Sequence, residues 1–407
     1  MTTPEVPALD AVVTGTATPG TSRLKWVLVL GSLTTFGPLS LDLYLPAFPK
    51  IASDFHTSAS RVQLTLTACL VGLAVGQLVA GPLSDRFGRK RPLLIGITAY
   101  SLASVLCAIA PGIDSLTGAR LLQGLAGSAG LVIARAVARD LHTGPELARV
   151  FALLMLVTGL APILGPTVGA QVLRFTSWHG MFVVLAVFGA VLAVVVQQVL
   201  PETLDPARRH SGGVTHTIRT FGRLLKDRRF VGCALTAGFV LGAMFSYIAG
   251  SSFVLQDTYG LSPQEFSFVF GTNAVGLIAM SQLSARLVRT IAPQVLLRIA
   301  VLMSATGGTA LLISVLAGAG LPAVLPSLFV VVISVGLTTP NATALALADH
   351  PDVAGSAAAL LGLGQFAIGC VLAPLTGLAG ETSFAWVIAA SALMAAVVHT
   401  ALMRKAS

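Results

Sequence analysis

Two ionisable residues stand inside long apolar stretches of the chain, and they are the residues best suited to chemistry. Asp42 lies in Leu41-Asp42-Leu43-Tyr44-Leu45, and Arg120 begins the stretch Arg120-Leu-Leu-Gln123-Gly124. Burial in an apolar medium favours the neutral form of a carboxyl group, whereas water or a nearby cation favours the anion. A carboxyl group that alternates between such settings can bind a proton on one side of a barrier and release it on the other. Asp42 is therefore the candidate proton carrier.

Arg120 is the candidate cation for the same proton-coupling site. An arginine in the middle of a membrane helix costs about 2.5 to 3.5 kcal/mol, so it is normally retained only where it faces a cavity or a counter-charge. Each residue also has a simpler explanation. Asp42 could be solvated at a helix end, and Arg120 lies near enough to an end for its side chain to reach water. Contact between the two residues is left open by the sequence.

The elements that hold these residues are apolar segments long enough to cross a bilayer. Of the 407 residues, 55% are hydrophobic and 10% are charged, and the mean hydropathy is +0.87. A helix needs about 20 apolar residues to cross about 30 Å of hydrocarbon. We therefore predict an all-α membrane protein with twelve transmembrane helices in two six-helix bundles. The predicted spans are 25–45, 62–82, 92–111, 115–138, 149–171, 180–200, 231–250, 264–284, 294–317, 322–346, 355–378 and 384–403.

The basic residues predict how these spans are oriented. Most of the 25 Lys and Arg residues fall in alternate loops and at the two ends of the chain. Basic loops are retained on the cytoplasmic side of a membrane, so both termini are predicted to be cytoplasmic. The net charge of +9 then indicates contact with anionic membrane lipids and not with nucleic acid.

A break in composition divides the chain. The sequence predicts a disordered cytoplasmic tail (1–22), an N-terminal six-helix bundle (23–200), a cytoplasmic linker (201–230) and a C-terminal six-helix bundle (231–407). Two helical halves around a site near the middle of the membrane are typical of carriers that expose one site alternately to each side. A channel or a membrane enzyme with the same number of helices is the alternative.

Cofactor and metal chemistry are not expected from this sequence. The four cysteines have no metal-ligand spacing, and no glycine-rich phosphate loop ends in Gly-Lys-Ser or Gly-Lys-Thr. Neither a catalytic cluster nor a soluble domain is evident, so we predict a protein that is not an enzyme, binds no metal and needs no cofactor.

One loop motif resembles an inter-helix signature of the major facilitator superfamily. It is Gly81-Pro-Leu-Ser-Asp85-Arg86-Phe-Gly88-Arg89-Lys-Arg-Pro92, between the second and third predicted spans. The glycines permit a tight turn, and the cations hold the loop at the inner surface. The resemblance implies that Asp85 is a conformational latch that binds an arginine of the fourth span, either Arg135 or Arg139, and favours the outward-facing state. The predicted latch comprises Gly81, Asp85, Arg86, Gly88, Arg89, Arg135 and Arg139.

Two further motifs lie within spans. The segment from Arg120 to Gly130 resembles a second signature of the same superfamily. The segment Ala161-Pro162-Ile-Leu-Gly165-Pro166-Thr-Val-Gly169-Ala170 resembles the signature of its antiporter members, although Ala170 replaces the second residue of a glycine pair. Pro162 and Pro166 should bend the helix, and Gly165 and Gly169 should allow a neighbouring helix to approach closely. A kinked packing helix would show the same residues; the resemblance is what implies export.

Segments across nearly the whole chain are similar to the bicyclomycin and chloramphenicol resistance (Bcr/CflA) branch of drug:proton antiporters. They are 32–49 with its core 37–46, and 62–66, 250–256, 259–263, 340–347 and 354–362. The resemblance implies a carrier in a bacterial plasma (inner) membrane that exports a small amphiphilic drug, phenicol-like or bicyclomycin-like, in exchange for protons. We expect the protein to be a monomer. An exporter or symporter of a small metabolite with the same fold is the alternative.

The predicted substrate cavity is drawn from aromatic and polar residues inside the spans. Asn341 and Gln365 could equally well serve only to hydrogen-bond neighbouring helices. The predicted cavity residues are Phe36, Tyr44, Gln123, Tyr247, Phe253, Asn273, Asn341 and Gln365.

Overall fold

The fold is described from a computed structural model, which describes residues 21–142, 144–205, 220–350 and 353–403. Within these ranges the regular structure is helical and contains no strand, which confirms the predicted all-α class. The predicted tail (1–22) lies almost wholly outside the described residues. Residues 206–219 of the predicted linker, and Arg404 and Lys405, also lie outside them.

Fourteen α-helices form the framework of the described chain. They are α1 (Thr21–Thr34), α2 (Phe36–Asp42), α3 (Phe48–Asp54), α4 (Ala59–Phe87), α5 (Lys90–Ala108), α6 (Ile113–Leu141), α7 (Gly144–Phe175), α8 (Trp178–Val199), α9 (Arg228–Phe253), α10 (Pro263–Leu287), α11 (Pro293–Leu316), α12 (Leu321–Ala348), α13 (Ala354–Leu372) and α14 (Gly380–Met403). Short helical turns at Leu45–Ala47, Val254–Thr258 and Ala373–Gly377 extend α2, α9 and α13.

Twelve membrane spans result from this arrangement, as predicted. Eleven described helices are long and apolar enough to cross a bilayer, and the twelfth span is a broken one that bends by 48° between Leu28–Thr34 and Phe36–Asp54. Pro38 follows the bend and has no N–H to donate to Thr34, while its ring crowds the preceding turn, so the helix cannot continue straight. The first span was predicted to end at residue 45, and that boundary is wrong: Pro46 and Pro49 start new helical turns instead of ending the span.

The helices pack as two halves, α1–α8 and α9–α14. Within the first half, α6 packs against α4 and α5; within the second, α9 packs against α13 and α14. The halves meet where α7 contacts α10 and where α4 contacts α13. Close approach of α4 and α6 requires glycine, because a Cβ atom at Gly124 would overlap the carbonyl oxygen of Cys69.

Two ends of the molecule can be distinguished by charge. The basic face carries the α4–α5 turn, the end of α6 and the starts of α9 and α11, where most described Lys and Arg residues lie. The opposite face carries the α3–α4, α5–α6 and α7–α8 turns and the Val254–Thr258 turn. The functional residues can be located by their distance from these two faces.

Candidate functional site

A cavity of about 340 Å³ lies between the two halves, midway along the spans. Residues of α2, α4, α6 and α7 form one side of its wall, and residues of α9, α10, α12 and α13 form the other. It extends toward the basic face as far as Arg135, whose side chain is exposed. The chemical groups on its wall are Asp42, Gln77, Arg135, Thr158, Tyr247 and Asn273, set among the aromatic rings of Phe245, Phe270 and Phe366.

Asp42 lies on the cavity wall at the last residue of α2, with 5% of its surface exposed. Among the described residues, no hydrogen bond or ion pair reaches its carboxylate. Across the cavity, Asn273 donates a hydrogen bond of 2.8 Å to the hydroxyl of Tyr247. The carboxyl group is therefore free to exchange a proton or to meet a ligand that enters the cavity.

The antiporter-like segment of α7 sets the position of Asp42. A Cβ atom at Gly165 would come within 2.9 Å of the Asp42 Cβ, and one at Gly169 would overlap the carbonyl oxygen of Leu43. Only glycine at these positions lets α7 approach the end of α2 so closely. Pro162 of the same helix lines the cavity, and the carbonyl of Pro166 accepts a 2.9 Å hydrogen bond from Ser267 of the other half.

The opposite face is closed by contacts between the halves. Ser252 donates to the carbonyl of Leu45 at 2.6 Å, and Gln256 donates to the carbonyl of Pro46 at 3.2 Å. The rings of Phe48 and Phe253 pack 5.7 Å apart beside them. Further hydrogen bonds between the halves join Gln63 to Ala249, Gln264 to Ala170 and Ser267 to Pro166. The residues of these pairs lie in the parts of their helices that are away from the basic face.

Arg120 is fully buried inside the first half and does not touch Asp42. Its guanidinium donates to the carbonyl of Ser40 at 2.8 Å and to the side-chain oxygen of Gln123, and it lies 4.2 Å from the centre of the Tyr44 ring. No carboxylate of the described residues forms an ion pair with it. Because carbonyl oxygens and an aromatic face solvate this cation, Arg120 braces the turn of α2 that precedes Asp42.

Two of the eight predicted cavity residues, Tyr247 and Asn273, line the cavity. Phe36, Tyr44 and Gln123 are buried within the first half instead, and Phe253 belongs to the closed opposite face. Asn341 donates to Ser284 and to the carbonyl of Leu337 at 2.8 and 2.7 Å, so it joins α12 to α10. Gln365 is buried on α13 beside Phe366 but is not part of the cavity wall.

The α4–α5 turn forms an ionic cluster, although not the predicted one. Asp85 pairs with Arg89 at 2.5 Å, and Arg89 also donates to Asp140 at 2.9 Å; Arg135 and Arg139 are exposed and do not reach Asp85. The arginine that pairs with Asp85 thus lies in the α4–α5 turn, and α6 contributes an aspartate, Asp140, to the cluster. Burial lowers the pKa of Arg89, but its hydrogen bonds to Asp140 and Asp85 raise the pKa by more than burial lowers it. The net shift is upward, so this side chain stays charged.

The glycines of this turn differ in role. Gly88 has a φ of 89°, a conformation that side chains disfavour, and it ends α4. Gly81 lies within α4 and does not form the turn. The guanidinium of Arg86 lies 5.1 Å from the centre of the Phe87 ring. Glu202, which the sequence had not singled out, accepts hydrogen bonds from the backbone N–H groups of Arg89 and Lys90 at 2.8 and 3.2 Å and caps α5.

Most of the apolar cavity wall could not be recognised in the sequence. Leu73, Leu131, Met244 and Ile278 line it, yet they look like every other apolar residue of a membrane helix. Gln77 and Thr158 could have been found, because they are uncharged polar residues within apolar spans. Within the described ranges, no cluster of His, Cys, Asp and Glu could hold a metal ion.

A cavity between two six-helix halves, closed at one face, defines a membrane transporter. A family model described as Major Facilitator Superfamily matches residues 30–374. The chain therefore belongs to the major facilitator superfamily, and its relatives place it in the bicyclomycin and chloramphenicol resistance branch.

Three relatives illustrate this placement. The chain is 43% identical to an uncharacterised MFS-type transporter, YdgK, of Bacillus subtilis, over 89% of this chain and 91% of the relative. It is 33% identical to a bicyclomycin resistance protein homologue of Haemophilus influenzae, over 87% and 89% of the two chains. A chloramphenicol resistance protein of Pseudomonas aeruginosa is 31% identical over 64% of this chain and 62% of the relative.

A solved structure supports the fold. A bacterial homologue of the human lysosomal transporter Spinster, in an inward-facing and occupied conformation, superposes with a TM-score of 0.77 at 14% identity. The match covers 95% of this chain and 98% of the other. At this identity the likeness concerns the fold alone.

Proposed function

We propose that this protein is a proton-coupled efflux transporter that exports small amphiphilic antibiotics, phenicol-like or bicyclomycin-like, from bacteria. The observation that carries the proposal is the carboxylate of Asp42, which lies on the wall of the cavity between the halves and has no hydrogen-bond or ion-pair partner in the part of the chain that the structure describes. Membership of a branch whose relatives carry the names of bicyclomycin and chloramphenicol resistance proteins supports the substrate class.

The proposal takes the basic face as cytoplasmic, because short basic loops are retained inside the cell. The cavity then extends toward the cytoplasm, and the contacts of Ser252, Gln256 and Phe253 close the periplasmic side. This is an inward-facing conformation that can take up a compound from the cytoplasm or from the inner leaflet. We expect a single chain to suffice, because one chain supplies both sides of the cavity wall.

Coupling follows if Asp42 binds a proton and the drug in alternation. In the inward-facing state, Asp42 releases its proton toward the cytoplasm as the drug enters. The drug-loaded carrier then opens on the other side, where the drug leaves and Asp42 is protonated again. The protonated carrier returns. Transport stays coupled only if the deprotonated, empty carrier does not change conformation. We expect this condition to be met, because a buried, unpaired carboxylate is costly to enclose.

The wall of the cavity favours an amphiphilic occupant. Four aromatic rings, of Phe245, Tyr247, Phe270 and Phe366, offer apolar and stacking surface, whereas Asp42, Asn273 and Gln77 offer a few hydrogen bonds. The volume of about 340 Å³ is at the lower end of the range for small-molecule sites. Compounds with one or two apolar rings and a short polar chain fit this description.

The proton gradient supplies sufficient free energy. One proton that moves down a membrane potential of 100 mV releases about 2.3 kcal/mol. A tenfold concentration of a neutral drug costs about 1.4 kcal/mol. One proton per drug can therefore sustain a gradient of more than tenfold, so the proposed mechanism needs no nucleotide.

A susceptibility panel tests the proposal. A bacterial strain that lacks its own efflux pumps is transformed with the wild type, with Asp42→Asn, or with Asp114→Asn as a control. Asp114 is an exposed acid on the opposite face that pairs with Arg61, far from the cavity. We expect the wild type and the control to raise the inhibitory concentration of a phenicol or of bicyclomycin at least fourfold, and Asp42→Asn to raise it not at all. Equal resistance from Asp42→Asn, at equal membrane abundance, would contradict the role of Asp42.

A further inference from the structure

A second cavity, of about 380 Å³, lies between α11 and α14 near the basic face. It is separate from the central cavity and shares no residue with it. Four of its wall residues carry polar groups, and the rest are apolar. The polar wall residues are Gln294, Arg298, His399 and Thr400.

Two polar side chains of this cavity, those of Arg298 and His399, lack a polar partner among the described residues, whereas the Thr400 hydroxyl donates to the backbone carbonyls of Ala396 and Val397. Arg298 forms no ion pair with a described residue, and the wall includes no acid. The Nδ1 atom of His399 is buried and has no hydrogen-bond partner in the described part of the chain. A buried polar nitrogen normally has a partner, because leaving it unpaired costs about 1 to 3 kcal/mol. The arrangement indicates a ligand that accepts hydrogen bonds and carries negative charge.

The cavity lies at the depth of lipid headgroups. Arg298 is five residues from the start of α11 and His399 is four residues from the end of α14, so both lie about 6 to 8 Å from the basic ends of their helices. The neighbouring apolar side chains face outward: Val295 is 48% exposed, Leu302 55% and Val397 57%. Such a surface is covered by acyl chains in a membrane.

We propose that this cavity binds the phosphate of an anionic phospholipid, with the acyl chains along α11 and α14. The guanidinium of Arg298 offers a paired donor fork for a phosphate, and the His399 ring adds a further donor. Arg228 adds positive charge at the end of α14, where it donates to the carbonyl of Ala401 at 2.8 Å. Basic pockets between membrane helices on the cytoplasmic side are known to hold acidic lipid headgroups. The apolar, outward-facing wall favours a lipid over free phosphate.

Lipid binding to the purified full-length protein tests this proposal independently of transport. Delipidated protein in detergent is titrated with phosphatidylglycerol, phosphatidylcholine or inorganic phosphate, and bound molecules are counted by native mass spectrometry. The variants are Arg298→Gln and His399→Gln, with Arg289→Gln as the control. Arg289 is an exposed arginine of the same face that does not line the cavity.

We expect one tightly held phosphatidylglycerol on the wild type and on Arg289→Gln, with at least tenfold weaker binding by Arg298→Gln and a smaller loss in His399→Gln. Phosphatidylcholine should bind at least tenfold more weakly than phosphatidylglycerol. Equal affinity of Arg298→Gln and Arg289→Gln for phosphatidylglycerol would overturn the proposal. So would equal affinity for the two lipids, or displacement of phosphatidylglycerol by inorganic phosphate at millimolar concentration, which would mean a site for the free anion.

Discussion

Replacing Gly165 with alanine tests whether the contact between α7 and α2 sets the position of Asp42. The added Cβ would lie 2.9 Å from the Asp42 Cβ. Carbon atoms pack best at about 3.5 to 4.0 Å, so the two helices must separate by roughly 0.6 to 1.1 Å. Alanine is itself a better helix former than glycine by about 1 kcal/mol, so α7 should still form. The effect should therefore fall on the position of Asp42 and not on insertion.

The expected magnitude follows from that displacement. Overpacking of this size costs about 1 to 3 kcal/mol, and a misplacement of about 1 Å at a reacting group can lower a rate by up to a hundredfold. We expect drug-dependent proton flux in proteoliposomes to fall at least tenfold in Gly165→Ala. The control is Gly271→Ala on α10, where the added Cβ would meet Ile163 of α7 at 3.9 Å, an ordinary contact. If Gly165→Ala transports as fast as Gly271→Ala, the argument from packing is refuted.

Three further predictions concern the surroundings of the cavity. Arg120→Lys keeps a charge but loses the paired donors and the aromatic contact, so thermal unfolding in detergent should show a loss on the order of 3 kcal/mol; an unchanged midpoint would count against the bracing role. Ser252→Ala removes the hydrogen bond to Leu45 that holds the opposite face closed, worth about 1 kcal/mol. Spin-label distances across that face should then show about fivefold more of the open form, and an unaltered distribution would contradict the closure. Asp227 caps α9, so Asp227→Ala should cost about 1 kcal/mol at pH 7. Burial raises the pKa of Asp227, but hydrogen bonds from His350 and from the α9 backbone lower it by more, so the net shift is downward. The stabilisation is therefore present at neutral pH and is lost as the pH falls below 3.8. Unfolding midpoints of the wild type and the variant should converge in acid, and a constant gap would refute this.

The sequence alone was sufficient to predict the helical fold, because composition and span length constrain a membrane protein strongly. Eleven spans appear as single helices where apolar runs of the right length occur. The first span was harder to delimit. Pro38, Pro46 and Pro49 interrupt its hydropathy and look like the end of a helix, whereas the chain continues in short helical pieces to Asp54.

The site was only partly predictable, because depth along a helix does not reveal the direction in which a side chain points. Asp42 and Arg120 lie at similar depths near α2, yet Asp42 faces the cavity and Arg120 faces the interior of the first half. Tyr44 follows Asp42 by two residues and lies under the Arg120 guanidinium for the same reason. Two residues along a helix turn the side chain by about 200°, so neighbours in sequence reach different environments.

The ionic cluster shows a second limit. Motif resemblance supplied Asp85 and an arginine partner on α6, but which ions meet depends on the conformation of the whole molecule. In this conformation Arg89 lies between Asp85 and Asp140 and is the better placed partner. Arg135 faces the cavity instead.

The central claim is that Asp42 exchanges a proton for a drug, and the direction of proton movement tests it most directly. Purified protein is placed in liposomes that contain a pH-sensitive dye, and a phenicol or bicyclomycin is added outside. Antiport predicts that the lumen becomes alkaline as the drug enters, and that Asp42→Asn exchanges labelled for unlabelled drug with no change in lumenal pH. Acidification of the lumen would indicate symport, and proton movement by Asp42→Asn equal to that of the wild type would contradict the account.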